Sequence, residues 1–193
     1  SLYIPKKVKY WPTVRKCPKV KITASSANPY LKVINNDIYS KNGKVLYSVA
    51  STKTKYKVRK SVKEIEDGAF YKNDSIKSIY LPDSVKEIGE EAFGDMENLQ
   101  SIRFSRSISE LDYAMFNKCK KLKTVKLPKR IQTICGNFGG KKNCYLKKIY
   151  INAVNLKKSN LKSLPKKCKV YVKSKNVKNQ VKKAGFKGKV IIR

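Results

Sequence analysis

Apolar and polar positions repeat every 23 residues through the middle of this chain. Four variants of one segment begin 23 residues apart, at Ser61, Ser84, Ser107 and Arg130. A fixed period of this length indicates a stacked solenoid, in which each unit buries its apolar face against its neighbours. The pattern therefore predicts one elongated repeat domain, and it excludes most enzyme architectures.

Each 23-residue unit contains two apolar segments. The first has two apolar residues three positions apart and then an aromatic residue, as in Val62, Ile65 and Phe70. The second segment ends in an alternating pattern closed by proline, as in Ile79-Tyr80-Leu81-Pro82. Alternation with period two predicts a short strand with one inward face, and proline ends it because it cannot donate to a ladder. Stacked units would pair these strands in parallel, about 4.8 Å apart.

The same strand pattern occurs eight times along the chain. The eight predicted rungs are Leu2–Ile4, Val20–Ile22, Tyr56–Val58, Ile79–Leu81, Ile102–Phe104, Val125–Leu127, Ile149–Ile151 and Val170–Val172. The opening residues SLYIPK match the end of a repeat, so we expect the chain to be a piece of a longer protein.

Two segments depart from the repeat. Residues 28–49 contain two strand-like runs, Asp37–Ser40 and Lys44–Ser48, around Asn42-Gly43, which predicts an inserted β-hairpin. Near the end, Ser174 is placed to cap a helix, and Gly185 is placed to end it. One face of that helix carries Val177, Val181 and Ala184, and Val190–Ile192 can add a last strand.

These elements give a predicted order within one solenoid domain. Residues 1–27 hold truncated repeats, 28–60 the hairpin and a rung, 61–153 the 23-residue repeats, and 154–193 the last rung and a helical cap. A cap that closes the open end is what a solenoid requires.

Composition excludes several kinds of function. The chain has no histidine, which excludes histidine-based acid–base catalysis, Ser-His-Asp and Cys-His arrangements, and histidine-containing metal sites. No apolar run approaches the roughly 18 residues of a membrane-spanning helix, and no signal peptide is visible. The sequence predicts no cofactor, no metal site and no enzymatic activity.

Positive charge is large and unevenly distributed. The net charge is +33, and all thirteen acidic residues lie between Asp37 and Asp112. From Tyr113 to Arg193 there are 25 lysines and arginines and no acidic residue. Such an excess favours a polyanionic partner or environment, and the alternative is a compositional bias toward lysine.

The strongest candidate for a binding surface is a column of side chains on the outer face of the predicted sheet. This outer column contains the central residue of each rung: Tyr3, Lys21, Lys57, Tyr80, Arg103, Lys126, Tyr150 and Tyr171. The adjacent column contains Lys19, Lys55, Ser78, Ser101, Thr124, Lys148 and Lys169. Aromatic faces stack on sugar rings and cations meet carboxylate, sulfate or phosphate, so these columns predict an anionic glycan as ligand. The alternative is that tyrosine and lysine serve only as good strand and surface residues.

Within these columns, the predicted ligand-binding residues are Tyr80, Arg103, Lys126, Lys148, Tyr150 and Tyr171. A second candidate is the dense positive field of the last forty residues, from Lys157 to Lys189, which contains no acidic group. It is suited to wall polymers, glycosaminoglycan, nucleic acid or an anionic membrane, and the alternative is a solvated surface.

Cysteines and carboxylates offer weaker candidates. Of the five cysteines, Cys17, Cys119, Cys144 and Cys168 come just before strands, which favours free, buried structural thiols. Pairing of Cys144 with Cys119 or with Cys135 stays open, and the spacings do not resemble a metal knuckle. The carboxylate pairs Glu90 with Glu91 and Asp95 with Glu97 fall in turns, where we expect surface residues without a catalytic role.

The repeat S-V-x-x-I-x-x-x-A-F, followed by six residues and then Φ-x-x-I-x-Φ-P (Φ, apolar), resembles the BspA-like leucine-rich repeat family. The match is strongest over residues 61–129, and the hairpin segment and the last 25 residues also resemble this family. The resemblance implies an α/β leucine-rich-repeat solenoid, rich in β-structure, with a hairpin insertion and a helical C-terminal cap. It also implies a secreted or surface-displayed bacterial protein used for adhesion.

The sequence therefore predicts a non-catalytic extracellular binding module. Expected partners are an anionic polysaccharide, a teichoic acid, or a host surface protein or glycan, bound by a monomer. One alternative is a structural spacer that charge holds to the cell wall. The other is a nonspecific nucleic-acid binder, although no nucleic-acid-binding module is visible in the sequence.

Overall fold

The chain winds into a solenoid of about eight turns built from stacked short strands. The computed structural model describes residues 1–10, 20–135, 138 and 144–193. Strands on two sides of each turn form two ladders, and the apolar side chains between the ladders make the core.

The first ladder contains the strands that the alternating pattern predicts. Its members are β1 (Leu2–Ile4), β2 (Ile22–Ala24), β6 (Lys55–Lys57), β8 (Ser78–Tyr80), β10 (Ser101–Arg103), β12 (Thr124–Leu127), β14 (Lys148–Ile151), β15 (Lys169–Val172) and β16 (Val190–Ile192). Hydrogen bonds join β1 to β2, then β6 to β8 to β10, then β12 to β14 to β15 to β16, always in parallel. The last strand predicted from Val190–Ile192 is thereby confirmed.

Of the strands in the second ladder, only the two that form the hairpin were predicted from the sequence. Its members are β3 (Leu31–Ile34), β4 (Asp37–Ser40), β5 (Val45–Ser48), β7 (Glu64–Ile65), β9 (Glu87–Ile88), β11 (Glu110–Leu111) and β13 (Thr133–Ile134). The strands β5, β7 and β9 pair in parallel, as do β11 and β13. The first apolar segment of each repeat therefore forms a two-residue strand, too short to show alternation in the sequence.

One predicted rung is displaced by two residues. The sequence places it at Val20–Ile22, but the strand spans Ile22–Ala24, and Thr23 rather than Lys21 pairs with Tyr3. The side chain of Asn36 explains the shift, because it accepts from the Ile22 amide at 2.5 Å and donates to the Val20 carbonyl at 2.7 Å. A two-residue shift keeps the same residues facing inward, so alternation alone cannot distinguish the two placements.

The predicted hairpin of β4 and β5 is confirmed, and a third strand extends it. β3 pairs with β4 in antiparallel fashion, and the two are joined by Asn35 and Asn36, which have φ values of 51° and 72°. Asparagine tolerates this left-handed region, which such a tight turn requires. The insertion is therefore a three-stranded meander whose last strand joins the second ladder.

The predicted cap helix, α1, spans Lys175–Lys183. The Ser174 hydroxyl accepts a hydrogen bond from the Val177 amide at 3.2 Å, and Val177 and Val181 are fully buried. Gly185 follows with a φ of 90°, in the conformation that favours glycine after a helix. The helix begins and ends where the sequence predicted.

An aromatic spine runs along the core between the ladders. It consists of Tyr56, Phe70, Phe93, Phe116 and Phe138, with successive ring centroids 5.2 to 6.2 Å apart. Five successive turns contribute one ring each, so the spine carries packing from one repeat to the next. Rings at these separations attract one another in addition to the area they bury.

Both ladders are interrupted at the same place, which we call the joint. No strand pairing links β10 to β12, and none links β9 to β11. Across the joint, the ring of Phe116 stacks on Phe93 at 5.9 Å and meets the edge of Phe104 at 6.2 Å. The contacts there are therefore mainly side-chain packing and turn hydrogen bonds.

Buried polar side chains donate hydrogen bonds to backbone carbonyls that the backbone bonds of the turns leave without a donor. Asn28 donates to the Pro5 and Val8 carbonyls at 2.8 and 3.0 Å, and Asn73 donates to those of Val49 and Ser51 at 3.1 and 3.0 Å. Cys119 donates its thiol to the Phe93 carbonyl at 3.0 Å. Each residue thereby links its own turn to the preceding one.

Asp37 anchors the hairpin to the solenoid from a buried position. It is 3% exposed, and its carboxylate accepts from Tyr56 Oη at 2.6 Å and from the amides of Ala50 and Ser51 at 3.1 Å. Burial raises the pKa of this carboxyl group to about 6, although the three hydrogen bonds oppose the rise.

We expect Asp37 to make the stability of the protein depend on pH. Because its pKa rises from 3.8 in the unfolded chain to about 6 in the folded protein, the folded state binds the proton more tightly between these values. Its contribution to the free energy of unfolding should therefore increase as pH falls from 7 to 4, by about 2 to 3 kcal/mol. Urea unfolding of the wild type and of Asp37→Asn across this range measures it. Other carboxyl groups titrate equally in both proteins. A difference in the free energy of unfolding between the two proteins that stays constant with pH would contradict the expectation.

Candidate functional site

The outer column lies on the solvent side of the first ladder, as predicted. Strand register aligns Lys57, Tyr80 and Arg103 in one sheet, and Lys126, Tyr150 and Tyr171 in the next. All of them are at least partly exposed. The six predicted binding residues thus share one face, and Lys21 is replaced in the column by Thr23.

The first part of the column is a tyrosine between two cations. Lys57 Nζ lies 5.3 Å from the centroid of the Tyr80 ring, and the Arg103 guanidinium lies 4.6 Å from it. Contacts of this kind are worth about 0.5 to 1 kcal/mol at exposed sites, so they restrain the two long side chains. The strands that carry this cluster line a shallow depression together with Lys55, Ser78 and Ser101.

The second part is a pair of stacked tyrosines flanked by cations. The Tyr150 and Tyr171 rings are 4.7 Å apart and inclined by 17°. Lys126 Nζ lies 5.8 Å from the Tyr150 centroid, and the Arg193 guanidinium lies 4.3 Å from it. Arg193 also donates to Asn152 Oδ1 at 3.3 Å.

Arg193 is the member of this surface that sequence reasoning missed. It lies 43 residues after Tyr150, beyond the strand expected at Val190–Ile192. The alternation of the last strand did contain a signal for Arg193. Ile191 pairs with Tyr171 of the outer column, and the residue two positions later in a strand faces the same side of the sheet.

Lys148 occupies the adjacent column, as predicted, in register with Thr124 and Lys169. Lys55 takes the same place in the first sheet, opposite Ser78. These lysines are exposed and widen the cationic surface beside the tyrosines. Lys19 lies outside the described residues.

The side chains of this surface are already packed against one another. Cations cover the Tyr80 ring, and Tyr171 and two cations surround the Tyr150 ring. The arrangement presents guanidinium, ammonium and phenol groups in fixed relative positions. Such preorganised donors suit oxyanions, because less side-chain freedom is lost when they bind.

Acidic side chains gather instead along the second ladder. Glu64, Glu87 and Glu110 each occupy the first position of a strand, and Glu66, Asp67 and Asp112 line the same groove. Among the residues that the structure describes, no group of three or more acidic or cysteine side chains is placed to hold a metal ion. The second ladder thus presents an acidic groove at β7, β9 and β11, which Lys86 also lines, whereas the outer column of the first ladder is cationic.

The expectation that Asp95 is a surface residue is wrong. It is 6% exposed, with its backbone in the left-handed region, and it accepts from Tyr71 Oη at 3.1 Å and from Lys118 Nζ at 3.3 Å. The turn folds this carboxylate inward, where it links three repeats. Glu90 is exposed, as expected.

The described cysteines are free. Cys119, Cys144 and Cys168 are buried and Cys135 is partly exposed, whereas Cys17 lies outside the described residues. Burial raises the pKa of Cys119 and of Cys168 to about 12. The Cys135 thiol donates to Glu110 Oε1 at 3.0 Å, which raises its pKa to about 11 and keeps it protonated at neutral pH. These thiols are therefore structural groups rather than reactive ones.

A family model described as the BspA type leucine-rich repeat region matches residues 31–170 in six copies. The chain belongs to the BspA-type leucine-rich repeat family. Comparison with curated proteins finds no match. The resemblance read from the repeat pattern is thus confirmed.

Solved structures show the same fold. The pneumococcal vaccine antigen PcpA is 21% identical, with a TM-score of 0.73 over 100% of this chain and 55% of that one. A leucine-rich cell surface protein from Faecalibacterium prausnitzii A2-165 is 25% identical, with a TM-score of 0.69 over 99% of this chain and 47% of that one. This BspA-type chain therefore spans about half the length of either structure. No helix in the described ranges is long and apolar enough to cross a membrane.

Proposed function

We propose that this BspA-type chain is a non-catalytic, cell-surface binding module that recognises an anionic polysaccharide through the outer column. The observation that carries the proposal is the pair of cation–tyrosine clusters on the outer face of the first ladder, Lys57–Tyr80–Arg103 and Lys126–Tyr150–Tyr171–Arg193. The family, and the printed description of one similar structure as a cell surface protein, support display outside the cell.

The length of this surface favours a polymer over a single sugar. The six rungs from Lys57 to Tyr171 are separated by five strand spacings, which add up to roughly 24 Å at the usual spacing. A polyanion of that length meets cations on successive rungs, and each contact raises the effective concentration of the next. Weak individual contacts therefore suffice for selective retention.

Charge directs the ligand to this face. The sequence from Tyr113 to Arg193 contains no acidic residue, so no carboxylate of that segment opposes Lys126, Lys148 and Arg193. The acidic groove lies along the other ladder. A polyanion is thus attracted to the first ladder and repelled from the second.

The test compares binding to four immobilised polymers at near-physiological salt: teichoic acid, heparin, duplex DNA and a neutral mucin glycan. The face variant changes Tyr80, Arg103, Lys126 and Tyr150 to alanine. The control variant changes Tyr10, Arg130, Tyr145 and Lys175 to alanine, which removes the same residue types and the same charge from outside the outer column.

We expect selective binding to one anionic polysaccharide, weakened at least about 30-fold in the face variant and less than about 3-fold in the control, because several charge-assisted contacts are lost together. Equal binding to every polyanion, unchanged in both variants and abolished by salt, would overturn the proposal and favour the spacer. Preference for DNA over heparin would favour the nucleic-acid alternative.

A further inference from the structure

A tyrosine-lined cleft lies beside the inserted hairpin and is made of residues that the outer column does not include. Its volume is about 660 Å³, which is in the range of ligand-binding clefts. We call it the hairpin cleft, and the lining residues that matter below are Tyr10, Pro29, Tyr30, Ser40, Asn42 and Tyr47. The insertion thus contributes a concave surface of its own to the solenoid.

The three tyrosines of the hairpin cleft are accessible from solvent. Tyr10 is 82% exposed, Tyr30 is 42% exposed, and Tyr47 is half-buried on β5. Among the described residues, no aromatic ring stacks on any of the three, unlike the Tyr150 ring of the outer column. Lys9 Nζ lies 5.3 Å from the centroid of the Tyr30 ring, which leaves the other face of that ring to a ligand. Grouped aromatic surface of this kind marks interaction sites more often than scattered single residues do.

Hydrogen bonds hold the backbone of Tyr30 in place beside the hairpin turn. Its amide donates to Oδ1 of the buried Asn28 at 2.8 Å, and its carbonyl accepts from the Lys41 amide at 2.6 Å. The first contact ties Tyr30 to the preceding turn of the solenoid, and the second ties it to the turn between β4 and β5. The backbone that carries the ring is therefore fixed before a ligand arrives, which lowers the entropic cost of binding.

The side chain of Asn42 is also held in one orientation. Its Oδ1 accepts from the Lys44 amide at 2.9 Å and from Ser40 Oγ at 2.8 Å. Because a backbone amide can only donate, the oxygen must face it, and the amino group of Asn42 takes the opposite side. Asn42 is exposed in the lining of the cleft, so this amino group is left to donate to a ligand.

The charges around the hairpin cleft oppose each other, which favours a neutral ligand. Lys9 and Lys41 lie on one side, and Lys41 Nζ already donates to the Ser26 carbonyl at 3.0 Å. On the other side, strand register places Glu66 opposite Tyr47. Burial raises the pKa of Tyr47, and the negative charges of Glu66 and Glu64 raise it further, so its phenol stays protonated at neutral pH. The lysines disfavour a cation and the glutamates disfavour an anion at this cleft.

We propose that the hairpin cleft binds one neutral hexopyranose residue of a glycan. The apolar C–H face of the sugar stacks on the tyrosine rings, and its hydroxyl groups exchange hydrogen bonds with the Asn42 amino group and the phenol hydroxyls. A proline-rich peptide also packs on tyrosines, but its prolines have no N–H to donate to the phenol oxygens. The site is separate from the outer column, and the proposal does not depend on the proposed function.

The test is an NMR titration of the whole chain at pH 7 with soluble probes in the millimolar range. Three probes are the neutral tetrasaccharides cellotetraose, mannotetraose and chitotetraose, and the other two are octaproline and a heparin tetrasaccharide. We expect saturable shifts of the Tyr30, Asn42 and Tyr47 amides with at least one neutral tetrasaccharide, and no such shifts with octaproline or heparin. The variant that changes Tyr80, Arg103, Lys126 and Tyr150 of the outer column to alanine should bind the neutral probe as the wild type does.

A pair of substitutions tests the tyrosine faces. Tyr30→Leu with Tyr47→Leu keeps apolar bulk and removes the flat rings, and it should weaken binding at least about 10-fold. The matched control, Tyr113→Leu with Tyr145→Leu, removes two exposed tyrosines from outside the cleft and should change the affinity less than about 2-fold.

A single substitution tests the oriented amide. Asn42→Asp keeps the oxygen that accepts from Lys44 and Ser40, and replaces the amino group by a second acceptor. We expect binding to weaken at least about 5-fold, because a donor to the sugar is lost. Since both bonds of Oδ1 remain, this variant reports on binding even where the leucine pair destabilises the hairpin.

Four results would overturn the proposal. They are the absence of saturable shifts with every neutral tetrasaccharide, the same shifts with octaproline, equal weakening by the two leucine pairs, and unchanged affinity in Asn42→Asp. The second would mean that the cleft accepts a peptide, and the third would mean that exposed tyrosines bind sugars without regard to position.

Discussion

Replacing Phe116 with alanine is expected to lower the free energy of unfolding by about 3 to 5 kcal/mol and to split unfolding into two transitions. Phe116 is buried at the joint, where its ring contacts Phe93, Phe104 and Phe138. Because neither ladder pairs across the joint, this ring supplies much of the coupling between the two halves.

The half after the joint should unfold first. It holds 25 basic residues and no acidic ones from Tyr113 onward, so its charges repel one another when it is compact. Two ion pairs, Lys118 with Asp95 and Lys120 with Glu97, connect it to the acidic repeat before it. Added salt screens repulsion, and should therefore bring the two transitions of the variant closer together.

Hydrogen exchange at increasing urea, read by mass spectrometry on peptides from either side of the joint, measures this effect. Phe70→Ala is the matched control, since Phe70 is equally buried in the spine but lies where β5, β7 and β9 pair continuously. The control should lose similar stability and keep one transition. Coincident exchange on both sides in Phe116→Ala would show that the joint does not limit cooperativity.

Asn73→Ala is expected to lower the free energy of unfolding by about 3 kcal/mol, because it leaves two buried carbonyls without donors. Asn73 donates to Val49 and Ser51, both buried, and accepts from the Ser75 amide at 3.2 Å. Alanine cannot replace any of these three bonds, and water has little access to the carbonyls.

Asn98→Ala is the matched control for this prediction. Asn98 makes one bond to a backbone carbonyl, Asp74 O at 2.9 Å, at an exposed position where water can substitute. Its loss should lower stability by less than about 1 kcal/mol. Urea unfolding at pH 7 compares the two variants, and equal losses would mean that the buried carbonyls of Val49 and Ser51 are satisfied in some other way.

The candidate surface is made of residues that are distant in sequence and that the repeat places side by side. Residues 23 or so positions apart, such as Tyr80 and Arg103, become neighbours because each repeat adds one strand to the ladder. The sequence could therefore name most members of the outer column in advance, although it placed Lys21 where Thr23 lies and missed Arg193. It could not show that Arg103 and Lys57 lie over the Tyr80 ring, since that depends on rotamers rather than on register.

The sequence alone determined the solenoid, most of its first ladder, the hairpin and the cap, because period-two alternation, Asn42-Gly43 and Ser174 act through local geometry. Tertiary structure decided the rest. Asn36 shifted the second rung by binding the backbone around Val20 and Ile22, and Asp95 turned inward to meet side chains from neighbouring turns. The two-residue strands of the second ladder and the interruption of both ladders at the joint also appeared only in the folded chain. In each case the deciding contact joins residues from different turns, and such contacts leave no periodic signal in the sequence.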